Sequence, residues 1–303
     1  RQMCIRDRDM GVGSLLPFLG KNDTDRRCMI NSVAPHWDGN QVWLLTGGGA
    51  IFAAWPLLYG AAFSGFYWAM LIVLLALILR PVGFDFRGKM AGTRWRNTWD
   101  WALFVGSAVP PIIFGVAFGN LLQGVPFHFD ESLRPFYTGS FFGLLNPFGL
   151  LCGVVSLLMI VFHGANYLVL RTDGDLQRRA MSISTISGIA TAALFVLGGV
   201  WTYFGIDGMV VSAGLDPAGP SNPLLKTVDI ATGAWFANFA NYPVLWLVPI
   251  LAVLGAVGGV FFAKQLKGGM AIVCSSVMLL GIILTPLLSI CLLYTSPSPR
   301  DRT

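Results

Sequence analysis

The sequence predicts an all-α polytopic membrane protein, and three observations predict it. Hydrophobic residues make up 55% of the 303 positions and charged residues only 12%, apolar runs of membrane-spanning length recur along the chain, and basic residues gather in alternate linkers between those runs. A soluble domain carries roughly a quarter charged residues, so a surface this poor in charge cannot face water. Lipid is the remaining solvent, and the length divides into helices of ~20 residues each.

Seven runs are long enough to span: Val42–Tyr59, Ala62–Leu79, Trp99–Leu122, Pro147–Leu170, Ile183–Phe204, Tyr242–Ala263 and Met270–Ile290. Each is bounded by charged or Gly/Pro-rich residues. Met10–Leu19 reads as the end of a further span, which brings the expectation to about eight. Basic residues stay on the cytoplasmic side. Lys21, Arg26 and Arg27 precede the first complete run; Arg80, Arg87, Lys89, Arg94 and Arg96 follow the second; Arg171, Arg178 and Arg179, then Lys264 and Lys267, occupy later alternate linkers. The intervening linkers hold little more than Arg134 and Lys226, so they belong outside, and the N-terminus with them. Trp55, Tyr59, Trp99, Trp101 and Trp201 near span ends fit interfacial belts.

The two ends do not match the middle. Met3 onward back-translates as ATG TGT ATA AGA GAC AG, whose reverse complement, shifted by one base, encodes Cys-Leu-Leu-Tyr-Thr, the sequence of Cys291 to Thr295. Two tails that are opposite strands of one short DNA sequence are most simply a sequencing adapter translated with the gene. Residues 1–8 and 291–303 are therefore read as non-native, leaving 9–290 as one transmembrane domain truncated at both ends. Without the tails 15 basic and 13 acidic residues remain, a net charge near +2, which gives no support for nucleic-acid binding. Cys28, Cys152 and Cys274 are isolated, with no CxxC or CxxCH spacing, and read as packing residues.

The densest polar signal is Asn31 to Trp43, which contains His36, Trp37 and Asp38 and runs directly into the first complete span. A carboxylate or imidazole at the hydrocarbon boundary costs several kcal/mol unless it is paired or watered, so Asp38 and His36 are the first functional candidates. The alternative is that they cap a helix in headgroup water. Arg80 and Asp85 belong to a second cluster that offers an Arg80–Asp85 or Asp85–Arg87 pair, with positive-inside anchoring as the favoured reading. Asp9 is a further acid beside the first, truncated span. His163, inside a span near Asn166 and Tyr167, reads as a hydrogen-bonded packing residue, although an intramembrane histidine can also ligate haem. His128 lies in an external linker, solvated beside Asp130 and Glu131. Gly47-Gly48-Gly49 lacks the ending of a phosphate loop and is read as close helix packing, as are Gly115, Gly119 and Gly124, while Asn146-Pro147 reads as a helix start.

At Ala34-Pro35-His36-Trp37-Asp38-Gly39-Asn40-Gln41-Val42-Trp43 the chain resembles subunit II of the cytochrome bd quinol oxidases. The likeness continues through Phe52–Pro56, Phe63–Tyr67, Arg80–Asp85, Thr93–Asn97, Gly115–Phe127 and Leu145–Leu150, and covers Asp9 to about Leu284. The resemblance implies two four-helix bundles plus a peripheral helix, nine spans in a full-length member, and a bacterial cytoplasmic (inner) membrane location. It also implies a partner of similar fold, subunit I, which ligates two haem b and one haem d, so that this chain supplies no haem ligand and no metal site. Quinol and oxygen are then substrates of the heterodimer, with room for a structural quinone. By motif, Asp38, with Trp37 and His36 beside it, falls on the proton path to the oxygen-reducing haem; Asp9, Arg80 and Asp85 are secondary candidates. A secondary transporter, which should show broken helices or paired halves, and a haem-free scaffold subunit are the competing readings.

Cloning from genomic DNA is expected to give a gene in which neither tail is encoded; a native transcript carrying both tails intact would overturn the adapter reading.

Overall fold

The structure is a computed structural model that describes residues 3–132, 134–213 and 227–294; the side chains of 3–8, 40, 41, 43–45, 210–213, 228 and 291–294 are outside that description. The tail positions 1, 2 and 295–303, and Lys226, fall outside the described residues.

Eight longer helices build two bundles. The first contains α1 (Met3–Leu19), α3 (Trp37–Ala54), α5 (Tyr67–Phe86) and α6 (Thr93–Gln123), with α2 (Asp23–Val33) lying between α1 and α3 and the short α4 (Pro56–Gly65) between α3 and α5. The second contains α7 (Pro147–Arg171), α8 (Gly174–Gly205), α10 (Leu247–Lys264) and α11 (Gly268–Tyr294), with the five-residue α9 (Ala237–Asn241) before α10. The bundles join where α7 packs on α6 and α1. Two hairpins complete the chain: β1 (Phe127–Phe129) pairs antiparallel with β2 (Pro135–Tyr137), and β3 (Asp207–Ala213) with β4 (Thr227–Thr232).

Among the described residues, six segments are long and apolar enough to cross a membrane: α5, α6, α7, α8, α11 as far as Ile290, and α10 with the single turn from Pro243 that leads into it. The expected first complete span, Val42–Tyr59, is instead divided at Trp55, whose φ of −138° and ψ of 71° break the helix before Pro56. The polar start Trp37–Gln41 and three central glycines keep α3 out of the apolar class, yet its 18 residues extend about 27 Å at 1.5 Å per residue. It bridges the two ends of the first bundle: Trp37 stacks on Phe84 near the end of α5, while Gly60 and Gly65 of α4 approach Pro135 and Tyr137 of β2.

In lipid, helices gain little from hiding apolar surface, so they associate by close packing of small residues. Gly11 of α1 lies against Gly164 and the Ile160 carbonyl of α7, Gly115 and Gly119 of α6 against Gly153 and Gly149 of α7, and Gly255 of α10 against the backbone of α11 at Cys274 and Met278. Gly47, Gly48 and Gly49 correct the sequence expectation, because a Cβ at any of them would meet nothing within 4 Å. They lie on α3 at the bundle edge rather than in a helix crossing. Gly124 also serves differently, ending α6 at a φ of +85° that favours glycine. The helix start at Asn146-Pro147 is as expected: Asn146 caps α7 by accepting from the Gly149 amide at 2.6 Å, and Pro147 opens the first turn.

A Cβ on Gly164 would lie 2.5–2.7 Å from the Gly11 backbone, and overpacking of this kind costs about 1–3 kcal/mol. Gly164→Val is expected to lower the thermal midpoint of the detergent-solubilised complex, whereas Gly269→Ala, with open space at its Cβ, leaves it unchanged; equal midpoints would contradict the close α1–α7 crossing.

Candidate functional site

The polar turn that precedes α3 is held from below by α2. Asn22 stands at the N-cap position of α2, and Asp23 and Asp25 place negative charge in its first turn, where the helix dipole favours it. Met29 and Val33, four residues apart on one face, are buried in a cluster with Leu16 and Leu19 of α1 and Leu168 of α7. The Tyr167 hydroxyl donates to the Ser32 carbonyl at 2.8 Å. The chain then turns through exposed Ala34, Pro35 and His36, the His36 amide donating to the Val33 carbonyl at 3.0 Å, and α3 starts at Trp37. The Trp37 ring stacks on Phe84 at 4.9 Å and 17°. Asp38 follows in the first turn of α3 with its side chain exposed.

At the other end of α2 lies a cluster of ion pairs. Asp100 of α6 is almost fully buried, at 1% side-chain exposure, and receives Arg87 Nε at 2.5 Å and Arg26 Nη1 at 2.8 Å. Arg87 also reaches Asp23 at 2.8 Å, and Arg96 binds the other oxygen of Asp23 at 2.8 Å. Arg26 adds hydrogen bonds to the Gly20 carbonyl at 2.8 Å and Asn97 at 2.6 Å. Farther along, Arg179 of α8 pairs with Asp25 at 2.6 Å and donates to the Leu19 carbonyl. Asp23, Asp25 and Arg26 thus tie the start of α2 to the end of α5, the start of α6 and α8. Burial works against the charge on Asp23, but the hydrogen bond and charge of Arg87, with the charges of Arg96 and Arg27, outweigh it and hold the carboxyl below its ordinary value. Burial likewise acts to lower Arg87, and the hydrogen bonds and charges of Asp100 and Asp23 override it, keeping the guanidinium protonated.

The residues singled out in the sequence are distributed as follows. His36 and Asp38 are exposed and Trp37 half-buried, all in one turn. Asp9 and Arg80 are buried in the first bundle. Arg80 packs against Gly106 of α6, and Gly13, one turn beyond Asp9, packs against the adjacent Ser107, so both residues border the same α1–α5–α6 junction. Asp85 is exposed near the end of α5. Of the two pairs the sequence offered, Asp85–Arg87 does not form: Arg87 turns to Asp100 and Asp23, because a buried carboxylate needs a counter-charge more than an exposed one does. His128 is exposed and stacks on Phe136. His163 is fully buried, with Nδ1 2.8 Å from the Ser275 hydroxyl. Among the described residues no group of three metal-ligating side chains occurs. A half-open apolar cavity of about 1090 Å³ lies between α6 and the second bundle, bordered by Phe118, Phe148, Leu151, Phe195, Trp246 and Ile282.

Sequence reasoning passed over Asp100, Asp23 and Asp25. The signal for Asp100 was there: an acid between two tryptophans, Trp99-Asp100-Trp101, at the start of an apolar run demands a partner.

Two bundles with six membrane-type helices, a turn bearing an acid and a histidine, and a charge cluster gathered at one end define a multi-pass membrane protein that holds ionisable groups at one face. The chain belongs to the cytochrome bd terminal oxidase subunit II family, which it matches over residues 4–297. It is 58% identical over 277 residues to cytochrome bd-I ubiquinol oxidase subunit 2 of Escherichia coli (strain K12), covering 91% of this chain and 73% of that protein. It is 55% identical over 281 residues to a probable cytochrome oxidase subunit 2 of Haemophilus influenzae, covering 93% of this chain and 74% of that protein. Its fold is similar to that in the structure of bd oxidase from Geobacillus thermodenitrificans, with a TM-score of 0.65 at 14% identity over 95% of this chain and 79% of that one. The chain is therefore a subunit of a terminal oxidase complex, an oxidoreductase of the respiratory chain, and the secondary-transporter alternative falls away.

Because the folded carboxyl of Asp23 lies below its ordinary value of 3.8, its pairing contributes stability that is fully present above that value and is lost as pH falls through the folded one. A nitroxide on exposed Cys28 of α2 is expected to stay immobile from neutrality to about pH 4 and to loosen below it; a spectrum unchanged to pH 3 would contradict this anchoring.

Proposed function

We propose that this subunit, paired with a haem-bearing subunit I, supports oxidation of quinol coupled to reduction of oxygen to water, and that its own part is to take up protons at Asp38. The single observation that carries the reading is the placement of Asp38: exposed, on the first turn of α3, and separated only by α2 and a three-residue turn from the ion pairs that tie α2 to the end of α5 and the start of α6. Those pairs join three of the basic linkers, through Arg26, Arg87 with Arg96, and Arg179. Basic linkers remain cytoplasmic, which supports a cytoplasmic location for Asp38 and an outside N-terminus. The two hairpins belong to the opposite end, where Gly124 after α6 packs against Met209 of β3.

An exposed carboxylate is open to water, the source from which protons must be taken up. Trp37, fixed on Phe84, sets the direction in which the first turn of α3 leaves the surface, and His36 offers a second titratable group beside it. The haems supply electron transfer to oxygen and are held by subunit I; the residues of this chain supply and orient the proton donors. The apolar cavity between α6 and the second bundle supports a further element of the reading, a structural quinone whose tail it would hold.

Asp38→Asn in the assembled complex is expected to slow quinol-driven oxygen consumption by about 10²-fold or more, the scale of a lost positioned proton-transfer group, with haem spectra unchanged. Full turnover would reject the role and leave the subunit as a haem-free scaffold.

A further inference from the structure

We infer that the ion pairs of α2 form a clamp that positions Asp38, and that Asp100, through Arg26 and Arg87, is a positioning residue for proton uptake. The inference rests on the role proposed for Asp38. It is carried by how few joints separate the clamp from that acid.

From Asp23 to Val33 the chain is one helix, and after it only Ala34, Pro35 and His36 intervene before α3. A helix of 11 residues is a rigid lever, so the placement of its first turn sets the position of its last. The first turn is fixed electrostatically, by Asp23 on Arg87 and Arg96 and by Arg26 on Asp100. The last turn is fixed by packing of Met29 and Val33 and by the Tyr167 hydroxyl on the Ser32 carbonyl. Beyond the turn, Trp37 is held by Phe84, which lies three residues before Arg87 and so on the same side of the chain end of α5. One stretch of α5 therefore grips the α2–α3 segment twice, with a guanidinium at the start of the lever and an aromatic ring at the first residue of α3. Asp38 is the next residue along.

Asp100 is the pivot because it is the most deeply buried charge in the cluster and holds both Arg26 of α2 and Arg87 of α5. Removing its charge leaves two guanidinium groups competing for the remaining acid, Asp23. Arg26 then loses its anchor on α6, the start of α2 is released, and Asp38 shifts relative to the acceptors it serves. An ångström of misplacement costs up to ~100-fold in a reaction that depends on geometry.

The test is a double-mutant cycle on the complex assembled with subunit I, read as quinol-driven oxygen consumption with haem spectra as the control for assembly. Asp100→Asn alone is expected to lower turnover about three- to tenfold, within that limit, and Asp100→Glu to restore most of it. Combined with Asp38→Asn, Asp100→Asn should cost nothing further, because it acts only by placing Asp38. If Asp38→Asn falls below detection, the same cycle is run on Asp38→Glu. Hydrogen exchange should quicken in residues 23–38 of Asp100→Asn and stay unchanged in α7. The same factor lost in both backgrounds, or turnover unaffected by Asp100→Asn, overturns the clamp. Full turnover in Asp38→Asn alone overturns the underlying reading and the clamp with it, and is recognised without any Asp100 variant. Should Asp100→Asn fail to assemble, Arg26→Gln, which leaves the Arg87–Asp100 pair in place, is expected to give a smaller loss with the same lack of additivity.

Discussion

Much of one end of this subunit depends on one carboxylate. Asp100 stands on the first turns of α6 at 1% side-chain exposure, next to Arg87 at 7%. A charge so placed is tolerated only when its partners are fixed, and removal of one partner from such a pair costs about 3–5 kcal/mol because the other is left uncompensated. Asp100 meets that demand with two guanidinium groups from two different segments, the linker helix α2 and the end of α5. The need of one acid for counter-charge thereby becomes a tertiary constraint that gathers α2, α5 and α6.

The membrane interior is organised by different means. Helices there meet at glycines that bring backbones together, Gly11 on Gly164 and Gly119 on Gly149 among them, and several of the polar groups between them bond to near neighbours. Ser184 donates to Asn166 at 2.6 Å, His163 engages Ser275 at 2.8 Å, and the Asn120 amide donates to the carbonyls of Val116 and Leu144. These bonds use short side chains across close crossings, which suits a medium without water to satisfy a stray donor. The interior is therefore rigid where α1, α6 and α7 converge, and less filled between α6 and the second bundle, where a half-open apolar cavity of about 1090 Å³ remains.

Much of this was legible in the sequence because lipid imposes simple rules. Apolar runs marked six membrane helices, three of them closely and the others with bounds five to nine residues off where polar or charged turns extend the helix or apolar residues run past its start, and the alternation of basic linkers agrees with the ends that the structure ties together through Arg26, Arg87 and Arg179. The break at Trp55-Pro56 was harder to see. The residues on either side are apolar, so hydropathy runs through the break, and only the proline hints that two helices share the run. The motif around Asp38 drew notice because polar residues crowd the start of a span. Asp100 drew none, since a single acid is averaged away in a long apolar window. Its partners lie 74 and 13 residues away along the chain, and a spacing of that kind carries no periodic signal.

The choice that Arg87 makes between acids shows why spacing alone misled. Asp85 is two residues distant in sequence and exposed, so water already stabilises its charge, and an exposed ion pair adds about 0–1 kcal/mol. Asp100 is buried, and without Arg87 its charge would face the full penalty of desolvation with Arg26 alone to offset it. The free-energy difference between the two arrangements is thus set by the acid that has more to lose, and the guanidinium turns inward. In doing so it leaves Asp85 to water and brings Asp23, the first residue of α2, within reach of the same guanidinium. A burial constraint on α6 therefore fixes the helix that leads to Asp38, and the acid at the membrane surface takes its place from one it does not touch.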